Sequence, residues 1–120
     1  SDVCSSDLEE LRTFIELAHQ VGLDALVEVH DETELAEALE AGADIIGVNN
    51  RNLKTFHVDT GTSRRLGTLI PDDRLFVVES GIAVRADIEE LLQAGADAFL
   101  IGETLIKAGD PGGTLRGLLA

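Results

Sequence analysis

This sequence predicts an α/β fold built around a parallel sheet, and three observations carry the prediction. Four short apolar runs bounded by turn signals have the length and composition of buried strands: Ala25 to Val29, Ile45 to Val48, Leu75 to Val78 and Ala98 to Ile101. The stretches between them place apolar residues at helical spacing. A short phrase also recurs before three of the strands, as Gly22-Leu23-Asp24-Ala25, Gly42-Ala43-Asp44-Ile45 and Gly95-Ala96-Asp97-Ala98. One supersecondary unit is therefore repeated. Strands alternating with helices mean βαβ units with right-handed crossovers.

Taken in order, residues 1–7 are small and polar and match no element that follows. They read as a leader, a truncation or assembly junction, and Cys4 within them is assigned no role. Leu8 to Gln20 places Leu8, Leu11, Phe14, Ile15 and Ala18 on one helical face, with Glu9 and Glu10 suited to its positive N-terminus. Gly22 stops that helix. Asp31 and Thr33 are cap candidates for a helix over Glu34 to Glu40, which Gly42 ends. After the second strand, Asn50 to Leu53 lead into a longer loop through Phe56, His57 and Asp59. A helix from about Thr62 to Leu69 is closed by Pro71. Val84 to Ala94 is helical again, with Ile88, Leu91 and Leu92 on one face. Thr104 to Ala108 starts a short helix, and Asp110-Pro111 starts the last one.

Polar residues fall within or just after all four strands. They are Glu28 in the first, Asn49, Asn50 and Arg51 after the second, Glu79, Ser80 and Gly81 after the third, and Gly102-Glu103 after the fourth. An open doubly wound sheet concentrates such residues at one switch point. Decoration of every strand end favours a TIM (β/α)8 barrel, whose sites lie at the carboxyl ends of the strands. A whole barrel needs eight strands and about 250 residues. The 120 residues here supply four strands, so residues 8–120 read as the C-terminal half of a barrel.

Composition narrows the partners. A formal charge of −14 argues against nucleic acid and against an anionic membrane surface. No run is long enough to span a membrane, and no basic, apolar signal peptide is present. The expected location is cytoplasmic. One cysteine gives neither an internal disulfide nor a metal cluster, and His19, His30 and His57 lack ligand spacing. The core is expected to be mostly Leu, Ile, Val and Ala, since aromatic content is 3% and Trp, Tyr and Met are absent.

Several residues carry candidate chemistry. Glu28, if its face is internal, is desolvated and raised toward neutrality, as proton transfer requires; on an edge it is an ordinary wet carboxylate. Asn49 either orients a substrate or a carboxylate through its amide, or makes an Asx-type turn. Arg51 either meets an anionic substrate or pairs with Glu28 or Glu79. Ser80-Gly81 and Gly102-Glu103 offer backbone N–H groups in consecutive βα loops, where barrels commonly hold phosphate. Only two lysines occur, Lys54 and Lys107, and neither sits at a strand end.

These stretches together closely resemble indole-3-glycerol phosphate synthase: Leu26-Val27-Glu28-Val29-His30-Asp31, Ile46-Gly47-Val48-Asn49-Asn50-Arg51-Asn52-Leu53, Val78-Glu79-Ser80-Gly81-Ile82 and Phe99-Leu100-Ile101-Gly102-Glu103-Thr104-Leu105. The resemblance runs from about Leu8 to the end. It implies a lyase of tryptophan biosynthesis. Its substrate is 1-(2-carboxyphenylamino)-1-deoxyribulose 5-phosphate, which loses carbon dioxide and water as the indole ring closes, with no cofactor or metal. By position it implies that Glu28 is an acid/base in dehydration and that Asn49 orients the substrate. It implies that Glu79 and Ser80 contact the substrate, and that Gly81, Gly102 and Glu103 bind phosphate through their backbone. Glu103 stands where some members have serine. The family's first-strand Glu and Lys and its third-strand catalytic Lys have no counterpart in this sequence, so this chain alone is expected to be inactive or nearly so. Self-association, or pairing with an N-terminal half, is the expected way to cover a half-barrel's open edges and apolar surface. The competing expectations are another sugar-phosphate barrel, an isomerase or epimerase, and a non-catalytic phosphate-binding half-barrel.

Overall fold

The computed structural model describes residues 5–52, 55 and 57–119; Cys4, Leu53, Lys54 and Phe56 lie outside them. Four strands, β1 (Leu26–Val29), β2 (Ile45–Asn49), β3 (Leu75–Glu79) and β4 (Ala98–Leu100), form one parallel sheet in the sequential order β1-β2-β3-β4. The helices are α1 (Ser5–Gln20), α2 (Glu32–Glu40), α3 (Gly61–Gly67), α4 (Arg85–Gln93), α5 (Glu103–Lys107) and α6 (Pro111–Leu119). The first helix begins three residues inside the expected leader. A sequential order has no switch point, so the sheet is not doubly wound. Right-handed crossovers in that order put every intervening helix on one face.

Successive strand side chains point to opposite faces of the sheet, and one face is packed under the helices. Val29, Ile46, Val48, Phe76 and Val78 are buried and join Ile15, Leu35, Leu66, Ile88, Leu91 and Leu118 in a single core under the helices. On the opposite face Leu26, Leu75 and Leu100 are about half exposed. That open face carries Glu28 and Glu79 as well, because both lie in register with the outward set. The pairing Glu28 with Gly47 and Asn49 with Glu79 fixes their relative height.

The recurring glycine phrase has one structural meaning. Gly22, Gly42 and Gly95 have φ of 78°, 90° and 102°. In each case the following residue donates its N–H back to the carbonyl five residues earlier: Leu23 to Ala18 (2.8 Å), Ala43 to Ala38 (3.0 Å) and Ala96 to Leu91 (3.0 Å). Each glycine also bonds three residues back, to His19, Leu39 and Leu92. These paired bonds are Schellman closures, which turn the chain from helix into the next strand. Side chains cap the starts of α2 and α4. The Asp31 carboxylate accepts from the Glu34 N–H at 2.8 Å, and the Asp87 carboxylate accepts from Ala83 and Val84 at 2.9 and 3.0 Å.

Nothing lies within 4 Å of where a side chain at Gly42 would begin, so Gly42→Ala tests backbone conformation alone. It is expected to cost about 1–2 kcal/mol of stability, and Gly42→Asn less, because asparagine tolerates the left-handed region. Urea denaturation checks this; equal stability in all three proteins contradicts the Schellman account.

Candidate active site

The carboxyl ends of β1, β2 and β3 bring three expected site residues together. Glu28 and Glu79 come from strands on either side of β2, and Gly47 lies between them. A methyl group on Gly47 would collide with the Glu79 carboxyl and come within 2.7 Å of Leu26 Cδ2. Glycine in mid-strand weakens a strand; here it makes room for the acid. Asn49 completes the group, its Nδ2 donating toward Glu28 Oε1 at 3.4 Å. Its Oδ1 accepts from the Arg51 N–H at 2.9 Å, which is the Asx-type turn. Asn49 thus does both things considered for it: the turn holds one end of the amide and aims the other at Glu28.

Of the two alternatives for Glu28, desolvated or wet, the open face gives the wet one, and the carboxyl with a buried oxygen is that of Glu79. The Glu28 side chain is 36% exposed on the open face. Glu79 Oε2 is shut from solvent and has no donor facing it, so it meets the Glu28 carboxyl only when it carries a proton. Its pKa is raised from 4.5 to about 7, first by burial, then by interaction with the Glu28 carboxyl and its charge; the His30 ring opposes the shift. His30 lies 3.7 Å from Glu28 through Nε2 and 3.1 Å from Glu34 through Nδ1. The Glu34 carboxylate also accepts from the His30 N–H at 2.8 Å, which pins the ring's backbone. His30 lacks metal-ligand spacing in the sequence. Its signal was its place two residues after a strand glutamate, hence on the same side of the chain.

The loops after β3 and β4 border a cavity of about 680 Å³, lined among others by Arg51, Glu79, Ser80, Gly81, Gly102 and Lys107. Ser80 and Gly81 both adopt left-handed φ, 65° and 82°. Thr104 Oγ1 donates to the Ile82 carbonyl at 2.5 Å and ties the two loops together. Gly102 precedes α5, which begins with Glu103; only the backbone of Glu103 is described. Arg51 lines this cavity and also a second one of about 480 Å³ shared with His30, Glu34, Asn49 and Asp59. Lys107, which lies beyond the strand ends in sequence, reaches the first cavity because α5 is a single short turn. Two residues named in the sequence were given no site role. Lys107 stood out only by the scarcity of lysine and its place in a helix, and Asn50 only as part of a turn-rich Asn-Asn pair. Among the described residues no cluster of three or more His, Cys, Asp or Glu side chains is placed to hold a metal ion.

A sequential parallel sheet, helices on one face and acids and glycine loops at its carboxyl end define the class: half of a (β/α)8 barrel, with the strand ends that bear barrel sites. Solved structures agree on the fold. A 3-hexulose-6-phosphate synthase superposes with a TM-score of 0.72 over 95% of this chain and 56% of its own, at 19% identity. A protein described as native KDPGal superposes at 0.62 over 92% of this chain and 50% of its own, at 20% identity. The family is given by sequence. Residues 3–118 match the family model for indole-3-glycerol phosphate synthase, and the chain belongs to that family. It is 53% identical over 112 residues to the indole-3-glycerol phosphate synthase of Ruminiclostridium cellulolyticum, covering 93% of this chain and 43% of that protein. It is 54% identical over 99 residues to that of a Thermoanaerobacter species, covering 82% and 38% respectively. The chain spans less than half the length of these curated relatives.

The raised Glu79 carboxyl has a signed consequence. Its proton is bound more tightly in the folded chain than in the unfolded one, so its contribution to stability is full below about pH 4.5. It is lost as pH rises through about 7. Glu79→Gln is expected to remove that part of the pH dependence and to be more stable than the parent above pH 7. Denaturation midpoints from pH 4 to 8 for both proteins check this; parallel curves contradict it.

Proposed function

We propose that this chain carries the C-terminal half of an indole-3-glycerol phosphate synthase active site. In the whole enzyme the reaction is ring closure of 1-(2-carboxyphenylamino)-1-deoxyribulose 5-phosphate with loss of carbon dioxide and water, in a cytoplasmic setting. The observation that carries the reading is the Glu28 and Glu79 carboxyl pair over Gly47, opening beside the cavity edged by Ser80, Gly81 and Gly102.

Loss of water requires a proton delivered to the departing hydroxyl and another removed as the ring becomes aromatic. Glu28, open to solvent and steadied by Asn49, is the acid/base of that step. Glu79, titrating near neutrality, keeps a proton beside it and contacts the substrate with Ser80. The phosphate lies in the cavity against the backbone of Gly81, Gly102 and Glu103, with Arg51 and Lys107 supplying positive charge from its wall. The open face, with Leu26, Leu75 and Leu100 beside the acids, is where the first half of the barrel or a second copy packs. The lysines of the family's first and third strands come from that first half. General acid–base groups contribute about 10²–10⁴-fold each, so the chain alone turns over little or nothing.

The test is formation of indole-3-glycerol phosphate, followed by indole fluorescence, with this chain alone and mixed with a separately produced N-terminal half of a related synthase. Activity only on mixing is expected, falling at least about 100-fold with Glu28→Gln. Activity from the chain alone overturns the half-site reading. No activity on mixing, from two folded halves that associate, overturns the assignment of these residues to turnover.

A further inference from the structure

We propose that Asn50 is a positioning residue for the phosphate end of the site: its buried side chain locks Ser80 and Gly81 in their left-handed turn. The functional half of this statement rests on reading the cavity as the phosphate site.

Asn50 is 2% exposed and Ser63 is fully buried. The amide joins three elements. Its Nδ2 donates to the Ser80 carbonyl at 3.0 Å, at the end of β3. Its Oδ1 accepts from Ser63 twice, from the N–H at 3.1 Å and from Oγ at 2.6 Å, in the first turn of α3. The backbone takes part as well: Asn50 N–H donates to the Glu79 carbonyl at 2.9 Å, and Asp59 N–H donates to the Asn50 carbonyl at 2.9 Å.

Only an amide serves this place, which demands a donor on one side and an acceptor on the other. An aspartate would turn an acceptor against the Ser80 carbonyl. The helix depends on it too, since its cap residue Thr60 makes no side-chain cap bond and the Ser63 N–H is met by Asn50 instead.

What the amide holds is a disfavoured conformation. Ser80 is the one non-glycine residue with positive φ among the described residues, and such a residue persists only where its surroundings over-determine it. Gly81 follows, also left-handed. A side chain there would begin 3.0 Å from Val58 and 3.1 Å from Thr60, so the chain leading to α3 packs flat on it. Without the Asn50 amide, Ser80 is free to return to negative φ, swinging Gly81 and Ile82 away from the cavity. Asn50 touches none of the reacting groups; it acts through Ser80.

The experiment uses this 120-residue chain and needs no turnover. A residue with positive φ has its amide proton close to its own Hα, so an intraresidue proton–proton cross-relaxation peak at Ser80 reports the turn directly. The peak is expected to be strong in the parent and weak in Asn50→Ala and Asn50→Asp. Inorganic phosphate is the probe of the cavity, titrated against the Gly81 and Gly102 amide resonances. Asn50→Ala is expected to weaken it about tenfold, the loss of one good hydrogen bond's worth of positioning. Ser80→Gly removes the conformational cost at 80. The double variant Asn50→Ala/Ser80→Gly is therefore expected to bind phosphate within about threefold of Ser80→Gly alone. A buried polar group with a merely structural role would lower stability and show no such rescue.

An unchanged Ser80 peak in the folded Asn50 variants overturns the proposal, and so does equal loss of phosphate affinity with and without Ser80→Gly. Should Asn50→Ala not fold, Asn50→Asp, which keeps an acceptor for Ser63 and removes only the donor to the Ser80 carbonyl, decides: a weaker Ser80 peak supports the clamp and an unchanged one overturns it. A parent that binds no phosphate overturns the phosphate reading and the functional half of the proposal, while the Ser80 peak still decides whether the clamp exists.

Discussion

The register between β2 and β3 is the constraint on which the rest of the structure depends. Asn49 stands beside Glu79, and the next N–H, that of Asn50, bonds the Glu79 carbonyl. A slip of one residue would turn Glu79 toward the helices and put Val78 on the open face, because side chains alternate along a strand. Phe76 and Val78, packed against the helices, oppose that slip, as do the Asn50 amide and the left-handed turn that follows β3. The core and the site therefore fix the same register from opposite faces of one sheet.

That arrangement carries a strain inside the site. Two carboxyls meet over a glycine, and one of them holds a buried oxygen with no donor facing it, so that it bonds the Glu28 carboxyl only through a proton of its own. Unpaired buried polar atoms are rare in folded proteins and cluster where chemistry needs them. The exposed ion pairs, such as Arg65 with Glu32 and Arg64 with Glu90, lie on the helices and contribute little to stability. The local stability comes from the aliphatic core under the sheet, and the site is free to be unfavourable because that core is on the other side.

Much of the fold was legible in the sequence. The three Gly-x-Asp phrases announced three helix ends, and each is a Schellman closure. The four apolar runs are the four strands to within a residue or so. The loops that border the larger cavity were visible as glycines soon after strands. Glu28, Asn49 and Glu79 were legible as site candidates because period-two alternation and strand-end position are local facts. The family followed from the order of these stretches. Less was legible about which acid would be buried, since that depends on Gly47 and Leu26 one and two strands away, and on the Glu28 charge. Asn50 read as half of a turn because its three partners, Ser80 and the two donors of Ser63, lie 30 and 13 residues along the chain.

The sequence by itself determined the elements, the parallel sheet, the half-barrel and the family, because each is written in spacing, composition or motif order within short windows. Only the tertiary structure decided that the raised carboxyl is Glu79, that Asn49 serves a turn and an acid at once, that Lys107 reaches the cavity and that Asn50 binds three elements together. The reason is physical: burial, proton affinity and hydrogen-bond satisfaction are set by what neighbouring strands and loops bring within a few ångströms, and no single stretch of chain contains its own neighbours.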